Sequence, residues 1–459
     1  MQEQLKKTIH DKMPEYIEQL RQLVRIPSIS FDNFDQKFVL ESADAVKKMF
    51  IDAGLTNVQF LLPESGRPTV YGESLTSPDK PTILLYAHHD VQPPMREALW
   101  NTKPFEATVS ADGERLFGRG TADDKAGIIT HLAALEQVRA WKKQDGPNLK
   151  FIIEGEEESG SAGFEGLLKA HAQLLKSDAV IIADLGNFAK RTPSITATLR
   201  GMSAISVVLR STKAPLHSGS WSGPIPDPGQ ALCRIIASLT DGTGKILIPH
   251  FEDGLVPPTA EELASYKSLG MTEKIFRNDG GVLDSVKLKC SEDEILETLW
   301  RKPSLVVTAM EVGSRTNAGN VLQDSAYARI GIRLAPGMDA VRCTQLLVDF
   351  IKKQVPYGLA CEIETEDGAN PFVTDTDHPF FKKMSEAMST AYGAETKIVG
   401  CGASIPGAEL FRSILGNIPI LMTGLEDPEC NAHGENESLY LPDFESGILS
   451  ETLFFGGLC

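Results

Sequence analysis

Apolar residues recur at three- and four-residue intervals from the start of the chain, at Leu5, Ile9, Met13, Ile17, Leu20 and Leu23. That spacing lines one face of a helix, and it predicts an amphipathic helix that stops near Ile26-Pro27, because the residue before a proline avoids helical geometry. A second helix is predicted over residues 40–53, closed by Gly54. Three short apolar runs follow, at 82–87 (TILLYA), 149–153 (LKFII) and 179–183 (AVIIA), and each reads as a buried strand. Helical stretches at 125–141 and 163–175 separate them. Strands alternating with helices predict an α/β fold with a mostly parallel sheet. Each run is followed directly by acids or histidines: His88-His89-Asp90, Glu154 to Glu158, and Asp184. Ligands bind such sheets beyond the carboxyl ends of the strands, so these polar residues converge where chemistry is expected.

The pattern changes near Ser194. Runs at 194–199 and 204–210 read as strands of a different sheet, followed by a Pro/Gly loop at 223–229 and a helix at 230–239. The stretch 240–303 mixes charge, proline and glycine and gives no clear order of elements. Strands are predicted at 304–309, 327–334 and near 361–364, with a helix at 340–353. An α/β texture returns after Pro379, with a buried strand predicted at 415–424. Two domains follow: 1–190 joined with 376–459, and 191–375 inserted between them. There is no internal repeat.

The length of 459 residues suits two domains, and 42% hydrophobic with 23% charged residues is the composition of a globular chain. A net charge of −17 argues against a nucleic-acid partner, which needs a basic footprint. No run reaches the roughly 18–20 apolar residues of a membrane span. The charged opening twenty residues lack a signal-peptide pattern. Seven scattered cysteines with no CxxC spacing fit reduced thiols, so the expected compartment is the cytoplasm.

Taken one at a time, the candidate chemical groups keep ordinary readings beside the functional ones. In His88-His89-Asp90 the outer two residues share a side of an extended chain, so Asp90 can orient a metal-bound His88, or simply bond a strand-end histidine. Asp123-Asp124, after Gly118-Arg119-Gly120, can cap the following helix or bind a cation. Four carboxylates in Glu154–Glu158 repel one another unless water or cations neutralise them. Asp184 and the loop residue His433 say little alone. Arg333, on an apolar strand, can be a paired structural residue or a carboxylate clamp.

Their order along the chain is more specific than any one of them. HxD, GRGxxDxK, EGEEExGS, an Asp after a strand, LHSG (216–219), RxxPG (333–337), GxSIP (402–406) and AHxxxE (432–437) resemble one family throughout. It is that of the co-catalytic metallopeptidases, which includes acetylornithine deacetylase, succinyl-diaminopimelate desuccinylase, carboxypeptidase G-type enzymes and carnosinase-like dipeptidases. The resemblance implies an aminopeptidase-like catalytic domain carrying an inserted α+β lid and dimerisation domain. It implies two divalent metal ions per subunit, zinc first, with manganese or cobalt as alternatives. Asp123 would bridge them, His88 and Asp184 would complete one site, and Glu158 and His433 the other. Glu157 would be the general base, Asp90 the partner of His88, and the Asp123–Asp124 peptide would be cis. His217 would reach the active site of the partner in a homodimer, Arg333 would hold a substrate carboxylate, Ser404 would lie beside it, and Asn320 would sit near the oxyanion. His89 stands where the family has a small or apolar residue. The long insert resembles the dipeptidase subgroup, which implies hydrolysis of dipeptides or short peptides. Deacylation of N-acyl amino acids is the alternative, and a catalytically silent metal-binding protein the distant one.

Overall fold

The computed structural model describes all residues except Met1, Ser65, Lys143, Gln144, Asn317, Asp367 and Ser404, and the side chain of Pro406. The first helix, Gln2–Val24, buries Leu5, Ile9, Met13, Leu20 and Leu23 as the spacing predicts. Tyr16 takes the core position expected for Ile17, which is only partly buried. The second helix, Lys37–Asp52, ends before Gly54, whose φ of 70° turns the chain away.

The chain divides into two compact units. The first runs to Ala197 and regains Thr374–Val399 and Pro406–Cys459. At its centre, strands Asn148–Glu154, Thr82–His88, Ala179–Ile182 and Ile420–Met422 lie side by side and parallel. Their near-continuous apolar sequences reflect burial on both faces. Helices Lys125–Lys142, Pro379–Tyr392 and Leu441–Gly456 supply much of the cover. The register pairs His88 with Glu154, so the carboxyl ends of neighbouring strands stop level with each other. Antiparallel strands flank this parallel set, Thr56–Leu61 and Thr69–Ser74 on one side and Ser194–Leu199 on the other.

Three expectations need correction. Ser194–Leu199 belongs to the large sheet, with Thr196 opposite Met422, and not to a different one. The apolar run at 415–424 splits between the end of helix Pro406–Leu415 and the short strand Ile420–Met422. The helix expected at 163–175 is two pieces, Phe164–Ala170 and Ala172–Leu175, broken at His171.

The second unit comprises Thr198–Val373 and Gly400–Ile405. Its antiparallel sheet runs in the order Ser304–Glu311, Ser325–Leu334, Gly201–Arg210, Ala360–Thr365. Burial alternates residue by residue along Ser325–Leu334, as it must where one face packs and the other does not. Helices Pro228–Ser238 and Ala340–Gln354 pack on the buried face. The stretch 240–303, opaque to pattern reading, is ordered by caps and pairing rather than periodicity. Thr259 and Glu262 form a capping box on helix Ala260–Ser268, and buried Glu262 then accepts from Arg301 at 3.0 Å.

Candidate metal centre

The centre lies within the first unit, beyond the carboxyl ends of the parallel strands. His88 closes its strand and is fully buried. Asp123 precedes helix Lys125–Lys142, and its peptide bond to Asp124 is cis. That helix start packs closely, because Gly127 has no side chain: a Cβ there would fall 2.4 Å from Asp124 Oδ1 and 2.9 Å from Ala183 Cβ. Glu157 and Glu158 open a single 3-10 turn after strand Asn148–Glu154. Their backbone N–H groups donate to the two oxygens of Asp90 at 3.2 and 3.0 Å, an anion seated on free donors. Asp184 follows strand Ala179–Ile182. His433 comes from a loop, in left-handed backbone at φ 62°, with 60% of its side chain exposed.

These five residues meet around one carboxylate. His88 Nε2 lies 3.0 Å from Asp123 Oδ1 and 3.4 Å from Asp184 Oδ1. His433 Nε2 lies 3.0 Å from Asp123 Oδ2 and 3.2 Å from Glu158 Oε2. Asp123 therefore turns one oxygen to each histidine. His88 Nδ1 is 3.1 Å from the backbone carbonyl of Asp90, which can only accept, so the neutral ring carries its proton there. Its Nε2 lone pair then faces two carboxylate oxygens, buried and with no hydrogen-bond partner. Acceptors converging on acceptors require a cation or an extra proton between them. The nitrogen and oxygen donors around each histidine, spaced 3.0–3.4 Å apart, suit an ion with bonds of about 2.0–2.2 Å. Donor groups fit for a metal among the described residues are His88, Asp123 and Glu158, and His88, Asp124 and Asp184.

The electrostatics of the centre follow this crowding. Burial, then the charge of Asp184, pushes Glu157 well above the usual carboxylate range. Burial and Asp123 lift Glu158 to about 7. For Asp123 burial works upward, but contacts from His433 and His88 outweigh it and hold the carboxyl low. Contacts with Asp123 and Glu158 raise His433 to about 11.

Asp90 holds the centre differently from the simple expectation. Its carboxylate is 3.5 Å from His88 Nδ1 and serves chiefly the 157–158 turn and Ser30 Oγ, which donates at 2.7 Å; its carbonyl takes the closer contact with the imidazole. His89 points away, with Nε2 2.9 Å from the carbonyl of Pro68.

Further contacts complete the centre, from Gln92, Asp124 and Glu426. Gln92 donates from its backbone N–H to Glu158 Oε1 at 3.1 Å and from Nε2 to Oε2 at 2.8 Å. The alternation that pairs His88 with Asp90 reaches Gln92 one step later, so a signal existed. Asp124 Oδ2 accepts from the His88 backbone N–H at 3.2 Å. Glu426 feels burial, then the charges of Asp123 and Asp184, and is lifted well above the carboxylate range; no motif marked it.

The remaining candidates lie in the second unit. Strand Leu216–His217 pairs with Val321–Leu322, His217 opposite Val321, and the Asn320 carbonyl accepts from Ser218 N at 2.9 Å. His217 and Asn320 are thus neighbours, and both are exposed. Arg333 lies near the end of strand Ser325–Leu334, opposite Ser304 and Met202. Ser404 falls outside the described residues. Among the described residues no helix is long and apolar enough to cross a membrane.

The chain is similar to known proteins over most of its length. The chain is 32% identical over 389 residues to the cysteinylglycine-S-conjugate dipeptidase of Corynebacterium striatum, covering 84% of this chain and 83% of that one. It is 30% identical over 398 residues to the human Beta-Ala-His dipeptidase, covering 84% and 77%. The solved structure of a di-peptidase from Saccharomyces cerevisiae matches with a TM-score of 0.84 at 25% identity, over 100% of this chain and 98% of that one. Residues 84–452 match the family described as Peptidase family M20/M25/M40, and the chain belongs to that family.

Proposed function

We propose that this protein hydrolyses dipeptides with two divalent cations, one held by His88, Asp123 and Asp184, the other by Asp123, Glu158 and His433. The supporting observation is the division of Asp123, whose two oxygens each lie 3.0 Å from a different histidine nitrogen. Nitrogen and oxygen donors without thiolate suit Zn²⁺ first, and Mn²⁺ or Co²⁺ as well. When bound, the ions polarise the scissile carbonyl and acidify a water. Glu157 accepts that water's proton at its carboxylate and returns it to the departing amine nitrogen. Asp90 fixes the turn that carries Glu157, and its carbonyl sets the tautomer of His88.

On the substrate side, the reading assigns the terminal carboxylate to the planar fork of Arg333 and to Ser404, and the developing oxyanion to Asn320. His217 serves the active site of a second copy. Support for a homodimer through this unit comes from the sheet edge Ser304–Glu311, which exposes Val306, Val307 and Met310. An unpaired apolar edge needs a cover. All seven cysteines are unpaired, which suits a cytoplasmic location.

The names of both curated relatives favour dipeptides over N-acyl amino acids. The test is metal-depleted protein reloaded with Zn²⁺, Mn²⁺ or Co²⁺ and assayed against dipeptides and N-acyl amino acids. Cleavage of dipeptides alone is expected. Turnover confined to N-acyl amino acids would replace the proposal with the deacylase, and binding of metal without turnover would replace it with the silent protein.

A further inference from the structure

Arg119 and Glu437 belong to the GRGxxD and AHxxxE stretches, yet neither is among the proposed ligands. Both are buried, and Arg119 Nη1 donates to Glu437 Oε2 at 2.7 Å. The pair does more than neutralise itself. Glu437 Oε1 accepts from the backbone N–H groups of Ala122 and Asp123 at 2.9 and 3.2 Å, and Oε2 also accepts from Gly120 N at 3.1 Å. Arg119 Nη2 donates to the carbonyls of Gly434 and Pro93 at 2.9 and 3.2 Å, and its guanidinium lies over the Trp100 ring, 5.6 Å from the centroid. Three segments distant in sequence are thus pinned at one point: the turn that delivers Asp123, the loop that delivers His433, and the stretch after Asp90.

The two histidines do not depend on this point equally. His88 is set by the hydrogen-bonded register of parallel strands. His433 has no strand to hold it, and its left-handed backbone, unfavourable for a residue with a Cβ, persists only where the surroundings impose it. What imposes it is the chain on either side: Gly434 bound by Arg119, Asn436 bound to Asn101 N and Leu99 O, and Glu437 in the buried pair.

We infer that Arg119 and Glu437 are positioning residues that set the distance between Asp123 and His433, and so govern affinity for the cation shared by Asp123, Glu158 and His433 more than for the one at His88. This rests on the two-cation reading above. The two can fail separately, because the readout is metal affinity without substrate.

Metal-free wild type, Arg119→Lys, Glu437→Asp and Glu437→Gln are titrated with Co²⁺, following heat and the visible absorption of the bound ion. His433→Ala identifies which of two binding events belongs to the loop site. Glu437→Asp keeps the charge and shortens its reach by one methylene, so it reports even if Glu437→Gln, which leaves a buried guanidinium uncompensated, does not fold. Folding is checked by circular dichroism before titration. The loop-site event is expected to weaken about 10–100-fold in the folded variants, while the other shifts less than threefold. Folded variants with both events unchanged, or both weakened equally, overturn the positioning role. A wild type that binds no Co²⁺ overturns the metal reading itself, and the inference with it.

Discussion

His88 and His433 stand equally close to Asp123, each 3.0 Å from one of its oxygens, but they are held by different means. His88 is the last residue of a central parallel strand and has no exposed surface. Its backbone is in ladder register with Glu154, and its N–H is taken by Asp124. His433 is on a loop, more than half exposed, in a backbone conformation that neighbouring contacts must enforce. One half of the centre is thus as rigid as the sheet. The other is as rigid as a few side-chain bonds, and local opening concentrates in elements of that kind. Metal exchange is expected through the His433 side.

The largest effect is expected at the base, which is a ligand of neither half. Glu157→Gln keeps the shape of the carboxyl and removes its ability to take a proton, so kcat should fall by about 10²–10⁴-fold. Neither half loses a proposed ligand, so metal content by atomic absorption should stay at the wild-type value. Turnover surviving in Glu157→Gln would remove this residue from the base role.

Next come the histidines themselves. His433→Ala deletes an exposed ring from an accessible loop, leaving a gap that free imidazole can enter. His88→Ala deletes a ring from beneath the sheet ends and leaves a buried hole. Each should cost at least about tenfold in metal affinity, by the ordinary dependence of such sites on their ligand shell. Added imidazole should restore activity to His433→Ala and not to His88→Ala. Rescue of both, or of neither, would show that the two halves are equally open or equally closed.

The same contrast explains what could be read from the sequence. Strand-borne residues were legible because a buried strand is a local pattern, and the first polar residue after it must lie at the sheet edge; His88, Glu158 and Asp184 all follow such runs. The loop-borne half was not, since His433 in its polar surroundings carries no periodicity, and only the order of motifs along the chain drew it in. Partnerships across hundreds of residues, such as Arg119 with Glu437 or Arg115 with Asp427, leave no local trace. The apolar run at 415–424 misled because a helix end and a three-residue strand together look like one long strand. Ser194–Leu199 misled in a related way: it is a strand, but its sheet is decided by pairing with Met422, a partner over 200 residues away.

The smallest effect on turnover, and the most telling about the rigid half, concerns Glu154. Its carboxyl is buried at the end of the strand beside His88 and accepts from Tyr86 Oη at 2.8 Å. Burial pushes it to about 8, above the ordinary carboxylate value. A carboxyl raised in the folded state favours folding most while both states hold its proton, below the ordinary value near 4.5. That contribution fades as pH rises through 8, where the buried group must ionise. Metal-free protein should therefore lose on the order of a few kcal/mol between about pH 5 and pH 8 through this group. Glu154→Gln keeps an acceptor for Tyr86 and cannot ionise, so it should flatten that part of the stability profile in denaturant titrations. Its turnover should stay within a few-fold of wild type, because Glu154 is neither a proposed ligand nor the base. A profile as steep in Glu154→Gln as in wild type would mean that the sheet end beneath His88 is open enough for water to reach, and the two halves would then differ less than their burial implies.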